Sequence, residues 1–163
     1  LAKSIGGGVP LAAFGGKKKY MDFVTNGKMA HFGTFNGNPL AMAGIRAIDR
    51  ICSDEALATA EDFNLQALIR IGDIIDEYEL PAHTVGFGVK GCVTWSTKPV
   101  RNYRDYKATD FGVAEAHWLF AINRGIITPP GLDEQWLISL AHGQTEIDIL
   151  VEDFRDFAQV IRS

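Results

Sequence analysis

Apolar positions recur along this chain at spacings that separate helix from strand. Residues 11–14 form a short apolar run between Pro10 and Gly15, which predicts a buried strand. Lys17-Lys18-Lys19 starts a short helix reaching Val24, its charges forming a solvated face. Asn38-Pro39 opens the next helix, because Asn caps and Pro fits the first helical position. Ala41, Ile45, Ile48 and Cys52 then follow at helical spacing, with Arg46, Asp49 and Arg50 on the opposite face. A break at Ser53-Asp54-Glu55 leads into a longer helix with the stripe Leu57, Ala60, Leu68, Ile71, Ile75 and Tyr78, ending before Pro81. Val85, Phe87, Val89, Gly91, Val93 and Trp95 alternate with smaller or polar residues, which predicts a strand bent at its glycines. Residues 110–124 read as a helix terminated by Gly125, followed by a short strand at Ile126-Ile127. The last helix starts from a capping box, Thr145-Glu146-Ile147-Asp148. Ile147, Leu150, Val151, Phe154, Phe157, Ala158 and Ile161 mark its buried face. From about Ser53 onward the order helix, strands, helix, strand, helix indicates an α+β layer arrangement.

Composition narrows the classes. The chain has 163 residues, 47% hydrophobic and 22% charged, which excludes a mainly disordered chain and a fibrous repeat. A net charge of −4 gives no general case for nucleic acid or anionic membrane as partner. No apolar run approaches the roughly 18 residues of a membrane span. Cys52 and Cys92 cannot form a disulfide framework and read as reduced thiols of a cytoplasmic protein. The chain opens Leu1-Ala2-Lys3 without a signal-peptide pattern, which suggests a piece of something longer. Of 17 glycines, nine fall within residues 1–44. Glycine serves where backbone turns with positive φ or lies against a ligand, so this quarter reads as site-bearing loops.

Two apparent motifs fail on context. Gly86-Phe87-Gly88-Val89-Lys90-Gly91 matches G-x-G-x-x-G, but strand-like Cys92-Val93-Thr94-Trp95 follows where a dinucleotide site needs a helix. His31, His83, His117 and His142 have no metal-ligand spacing to one another or to the cysteines.

Two segments remain. In Lys3-Ser4-Ile5-Gly6-Gly7-Gly8-Val9-Pro10, a lysine stands shortly before three glycines that let the backbone turn. Its amine could project into a cleft, and a desolvated lysine is a nucleophile toward carbonyls. An exposed lysine at a turn fits the same residues. In His31-Phe32-Gly33-Thr34-Phe35-Asn36-Gly37-Asn38-Pro39, Gly33 offers an N–H and Thr34 a hydroxyl suited to a phosphate oxygen. Asn38 reads as a helix cap only.

Together these segments resemble the class III pyridoxal-phosphate aminotransferases, most closely the glutamate-1-semialdehyde 2,1-aminomutase branch. That family shows a lysine before a GGG-x-P stretch and a Gly-Thr-x-x-Gly-Asn-Pro segment about thirty residues later; here Thr34 follows Lys3 by 31 residues. The segment Pro99-Val100-Arg101-Asn102-Tyr103-Arg104-Asp105 resembles the family's stretch after the small-domain strand. Residues 125–130, Glu134 and Ser139-Leu140-Ala141-His142 resemble its substrate-facing stretch. Two departures bear on the substrate and not on the cofactor: Leu132-Asp133 stands where the aminomutases favour Phe, and Gly143-Gln144 where a Thr and an acid are usual.

The resemblance implies an α/β fold type I transferase. Residues 1–52 would be the end of its large cofactor domain and 53–163 its small α+β C-terminal domain. It implies pyridoxal 5'-phosphate held by Lys3 as a Schiff base. Lys3 would also move a proton between the substrate α-carbon and the cofactor C4′. Gly33 and Thr34 would bind the cofactor phosphate, in this family that of the neighbouring subunit of a homodimer. Glu134 would face a small-molecule amino acid or amino-aldehyde substrate. An acid for the pyridine nitrogen and a ring-stacking aromatic lie upstream of the lysine in the family. Two other readings stand beside this one. A class III transaminase would use an ω- or β-amino acid with a keto-acid acceptor. A non-catalytic α+β interaction domain would account for the scaffold but not for Lys3 and Thr34 together.

Overall fold

In the computed structural model, which describes residues 1–130 and 136–163, the chain forms two units, Leu1–Ser53 and Asp54–Ser163. The first unit holds a 3-10 turn, Lys3–Gly6, and two helices, α1 (Lys18–Thr25) and α2 (Pro39–Ile51). Asn38 starts α2: its Oδ1 accepts the N–H groups of Leu40 at 2.9 Å and Ala41 at 3.4 Å, and Pro39 fills the first helical position. Ala41 is buried, and Ile45, Ile48 and Cys52 of the predicted stripe are half-buried. Residues 11–14 do not form the expected buried strand. They run extended, joined by an isolated antiparallel bridge between Ala2 and Ala12 and by the Ala13 N–H donating to the Leu1 carbonyl at 2.8 Å. With that single neighbour the run has no sheet to be buried in, and Phe14 is exposed.

The second unit is built on α3 (Asp54–Glu77), which packs against α6 (Gln144–Arg162) and a three-stranded antiparallel sheet. The sheet order is β1 (His83–Phe87), β2 (Lys90–Thr94), β3 (Trp136–Leu137). Ile71 and Ile74 of α3, Val93 and Trp95 from the sheet side, and Ile147, Phe154 and Ala158 of α6 meet in one core. Arg70–Asp148 at 2.6 Å and Arg155–Glu77 at 2.7 Å join the outer flanks of α3 and α6. Such exposed pairs add little, about 0–1 kcal/mol each. Two shorter helices, α4 (Tyr103–Tyr106) and α5 (Phe111–Asn123), complete the unit, with Asn102 and Asp110 as their side-chain caps. Gly125, at φ 86°, ends α5 as its position predicts.

Four expectations are corrected here. The alternating stretch 85–95 is not one bent strand but a hairpin, with Phe87 opposite Lys90 and a two-residue turn at Gly88, φ 57°. Alternation alone does not distinguish the two, because both strands present the same face on each side of a tight turn. The stripe on α3 includes Asn64, which the apolar count left out, while Leu57 is exposed. Ile126-Ile127 is not a strand: Trp136–Leu137 takes the place beside β2, since Trp136 lies over Gly91, where a Cβ would stand 2.2 Å from its ring. Finally, α6 begins two residues before the predicted box. The Glu146 carboxylate accepts the Gly143 N–H at 2.8 Å, which makes Gly143 the cap and holds the Glu146 carboxyl below its ordinary range.

Asn64 joins the parts. Its Nδ2 donates to the carbonyls of Gly88 at 2.7 Å and Lys90 at 2.9 Å, and its Oδ1 accepts the Trp136 indole N–H at 2.8 Å. The false dinucleotide motif is thereby explained. Gly86 gives way to Leu68, whose Cδ1 would lie 2.3 Å from a Cβ there, Gly88 makes the turn, and Gly91 receives Trp136. Among the described residues no helix is long and apolar enough to cross a membrane, and no group of three or more His, Cys, Asp or Glu could hold a metal ion.

Between α5 and α6, His117 stacks on Phe157 with ring centroids 4.9 Å apart and meets the Phe154 edge at 5.3 Å. Burial lowers its pKa from 6.5 to about 4. Neighbouring Asp153 is 2% exposed and pairs with Arg124 Nε at 2.8 Å. Burial raises the Asp153 carboxyl, against the pull of Arg124. The folded state binds less proton at His117 than the unfolded state, so its contribution is whole above pH 6.5 and is lost as pH falls toward 4. Asp153 acts in the opposite sense, since a raised carboxyl is relieved by protonation. The loss from His117 amounts to about 3 kcal/mol. Urea unfolding of His117→Phe and the unsubstituted protein at pH 7 and pH 4.5 should show their stability difference moving in favour of Phe at the lower pH. A difference independent of pH contradicts this.

Candidate active site

The two chemistry-bearing segments both belong to the first unit, and α2 carries both. The Lys3–Gly6 turn lies along the middle of α2. A Cβ on Gly44 would stand 2.6 Å from the Gly6 carbonyl oxygen, and a Cβ on Gly7 would stand 3.2 Å from Ile48 Cγ1. The loop bearing Thr34 runs into the Asn38 cap at the N-terminus of the same helix. Six residues of helix, about 9 Å of rise, separate that cap from Gly44.

Lys3 has φ 61°, in the left-handed region that non-glycine residues avoid. It is held from both sides. Ahead of it, Ala2 bridges to Ala12. Behind it, the turn is closed by the Gly7 N–H to Ser4 carbonyl bond at 3.1 Å, with Gly7 itself at φ 58°. Its side chain is exposed and makes no ion pair among the described residues. Backbone strain of about 1–3 kcal/mol persists only where surroundings over-determine the conformation, and such residues cluster at functional sites.

Thr34 sits in a turn closed by the Asn36 N–H donating to the Gly33 carbonyl at 3.0 Å. It is exposed, and its hydroxyl makes no hydrogen bond among the described residues. A Cβ at Gly33 would lie 2.5 Å from Asn36 Oδ1, so a side chain there would push the exposed Asn36 amide aside. Gly37, at φ 69°, turns the chain into the Asn38 cap, so the cap reading of Asn38 holds. His31, which has no metal-ligand spacing, instead supports this loop: its Nε2 is 3.3 Å from Asn36 Nδ2 and its ring meets Phe14 edge-on at 4.8 Å. Glu134 lies outside the described residues.

Sequence reading passed over Gly44 as one of the glycines in a glycine-rich quarter. Its signal was present: a glycine inside a helix costs about 1 kcal/mol relative to Ala and calls for a packing reason. The charge of this unit is also unlike that of the whole chain. Lys3, Lys17, Lys18, Lys19, Lys28, Arg46 and Arg50 face only Asp22 and Asp49, an excess that favours an anionic ligand. An exposed amine suits a carbonyl group, and an exposed hydroxyl within a basic unit suits a phosphate.

The Aminotransferase class-III family model matches residues 1–99. Over 155 residues the chain is 31% identical to glutamate-1-semialdehyde 2,1-aminomutase 2 of Brevibacillus brevis, covering 93% of this chain and 36% of that protein. Among solved structures it is similar to a beta-phenylalanine aminotransferase from Variovorax paradoxus, at 26% identity and TM-score 0.85, covering 98% of this chain and 37% of that one. It also shares its fold with a transaminase solved with PLP bound, at 22% identity and TM-score 0.80, covering 96% of this chain and 36% of that one. The chain thus spans a little over a third of the length of the curated relative it matches. Its mixed helix and sheet architecture is that of the fold type I transferases. With more than half its length matched by the family model, the chain belongs to the class III aminotransferases.

Proposed function

We propose that this chain is the C-terminal part of a pyridoxal-phosphate-dependent amino-group-transferring enzyme of the glutamate-1-semialdehyde 2,1-aminomutase kind. The observation that carries this reading is Lys3, a non-glycine residue held at φ 61° at the start of the turn that ends at Gly6, inside the span matched by the family model. In this reading residues 1–52 end the large cofactor domain and residues 53–163 are the small domain, one residue from the division between the two compact units.

The residues present fit the cofactor in kind. Pyridoxal phosphate supplies an electron sink for the carbanion formed when the substrate α-proton leaves. Lys3 provides an exposed primary amine, the group that forms a Schiff base with an aldehyde. Lys3, once free, would be the base that moves a proton between the substrate α-carbon and the cofactor C4′. Thr34 Oγ and the Gly33 N–H bind the phosphate from an exposed turn, in the reading of a homodimer that of the neighbouring subunit. The basic excess of Leu1–Ser53 favours the phosphate dianion. The substrate would be an amino acid or amino-aldehyde, and Glu134, outside the described residues, is assigned to it by the resemblance alone.

The second reading, a transaminase for an ω- or β-amino acid with a keto-acid acceptor, draws on the likeness to the beta-phenylalanine aminotransferase and on Gly143-Gln144. An amino-donor screen separates the two. The aminomutase returns the amine to the same carbon skeleton, and the transaminase needs a keto-acid acceptor.

Borohydride reduction of the full-length enzyme loaded with pyridoxal phosphate, followed by peptide mapping, should find the pyridoxyl group on Lys3. Label on another lysine with Lys3 unmodified sinks the assignment. Thr34→Val keeps the side-chain shape and removes the hydroxyl. A hydrogen bond to a charged group contributes roughly 1.5–3 kcal/mol, so cofactor affinity should fall about 10- to 150-fold. An unchanged dissociation constant would count against the phosphate role of Thr34.

A further inference from the structure

Resting on the reading of Lys3 as the cofactor lysine, we propose that Gly44 is a positioning residue for its amine. Gly44 lies in the interior of α2, where a glycine is costlier than alanine unless something needs its missing side chain. What needs it is the Gly6 carbonyl, whose oxygen would stand 2.6 Å from a Cβ at position 44. Val9 Cγ2 lies at 3.8 Å from the same point, so the seat is closed on a second side.

The contact acts on Lys3 through three residues of backbone. Gly6 ends the 3-10 turn that Lys3 begins, and its carbonyl also accepts the Val9 N–H at 3.1 Å. Gly7 follows in the left-handed region, with Ile48, one turn along α2 from Gly44, at 3.2 Å from its would-be Cβ. The Ala2–Ala12 bridge fixes the chain on the other side of Lys3. A backbone clamped at both ends cannot absorb a displacement of Gly6 except at the residues between, and Lys3 holds the least favourable dihedral among them. A Cβ at position 44 therefore moves the turn off the helix and re-aims the lysine amine. Neither residue 44 nor Ile48 touches the substrate or the cofactor in this scheme; they fix where the amine stands.

The test is Gly44→Ala in the full-length enzyme, with Ala47→Ser on the exposed face of α2 as control. Apo enzymes are mixed with pyridoxal 5'-phosphate, and three things are read. They are the site of borohydride trapping, the rate of that trapping, and the pH midpoint of the visible absorbance of the loaded protein. A misplacement of about 1 Å at a reacting group can cost about 100-fold. Gly44→Ala should keep trapping on Lys3, slow it by about 10- to 100-fold, and move the midpoint by about one pH unit, with Ala47→Ser unchanged. Where Gly44→Ala fails to fold, Ile48→Val loosens the same seat without adding an atom. It should then move the midpoint while leaving the trapped residue the same. A midpoint and rate equal to those of the unsubstituted enzyme, with Lys3 still trapped, would overturn the positioning role alone, whatever the thermal stability does. Failure to trap Lys3 in the unsubstituted enzyme overturns the cofactor reading and the positioning role with it.

Discussion

The bare Cα of Gly44 is the point on which the geometry of the first unit turns. Because no side chain stands there, a carbonyl oxygen of the Lys3–Gly6 turn can lie against the flank of a helix. The positioning of the Lys3 amine follows from that approach. A turn seated on a regular helix has its position fixed in a way that a free surface turn lacks. The same helix begins at Asn38, whose side chain closes its first turn and ends the loop that bears Thr34. An amine and a hydroxyl far apart in the sequence are therefore both referred to one helix, which fixes where each stands on the unit.

The fold was legible where periodicity was long and where capping chemistry was local. The faces of α2, α3 and α6 follow from their apolar spacing, save Leu57 and Ile161, which are exposed, and Asn38 and Gly125 mark helix ends by the backbone chemistry each residue favours. What was not legible depended on long-range pairing. The hairpin at Gly88 cannot be distinguished from a bent strand until Phe87 is known to face Lys90. The strand beside β2 is Trp136–Leu137 rather than Ile126-Ile127 because of a slot at Gly91, which local sequence does not display. Asn64 breaks an apolar stripe on paper and completes it in space, since its polar atoms meet two carbonyls and an indole.

The candidate site divides in the same way. The residue types at Lys3, Gly33 and Thr34 and their spacing were visible, and so was the resemblance they carry. The strain at Lys3 was not, because a positive φ at a lysine contradicts its own preference and is imposed by contacts elsewhere. Gly44 was visible as a letter but not as a contact. The concentration of basic residues in the first unit was hidden by averaging, since the whole chain is acidic.

Asn64 has a consequence for the lifetime of the protein. Deamidation of an asparagine requires the following backbone nitrogen to reach the side-chain carbonyl, and a helix interior holds the two apart. In the folded chain Asn64 is shielded further by burial. In the unfolded chain neither protection applies. An aspartate formed there would return to its place with oxygens facing the Gly88 and Lys90 carbonyls, having lost both donors. Each excursion to the unfolded state thus exposes the chain to an ageing reaction whose product folds less well than its parent. Time spent folded therefore shields this side chain, and time spent unfolded exposes it.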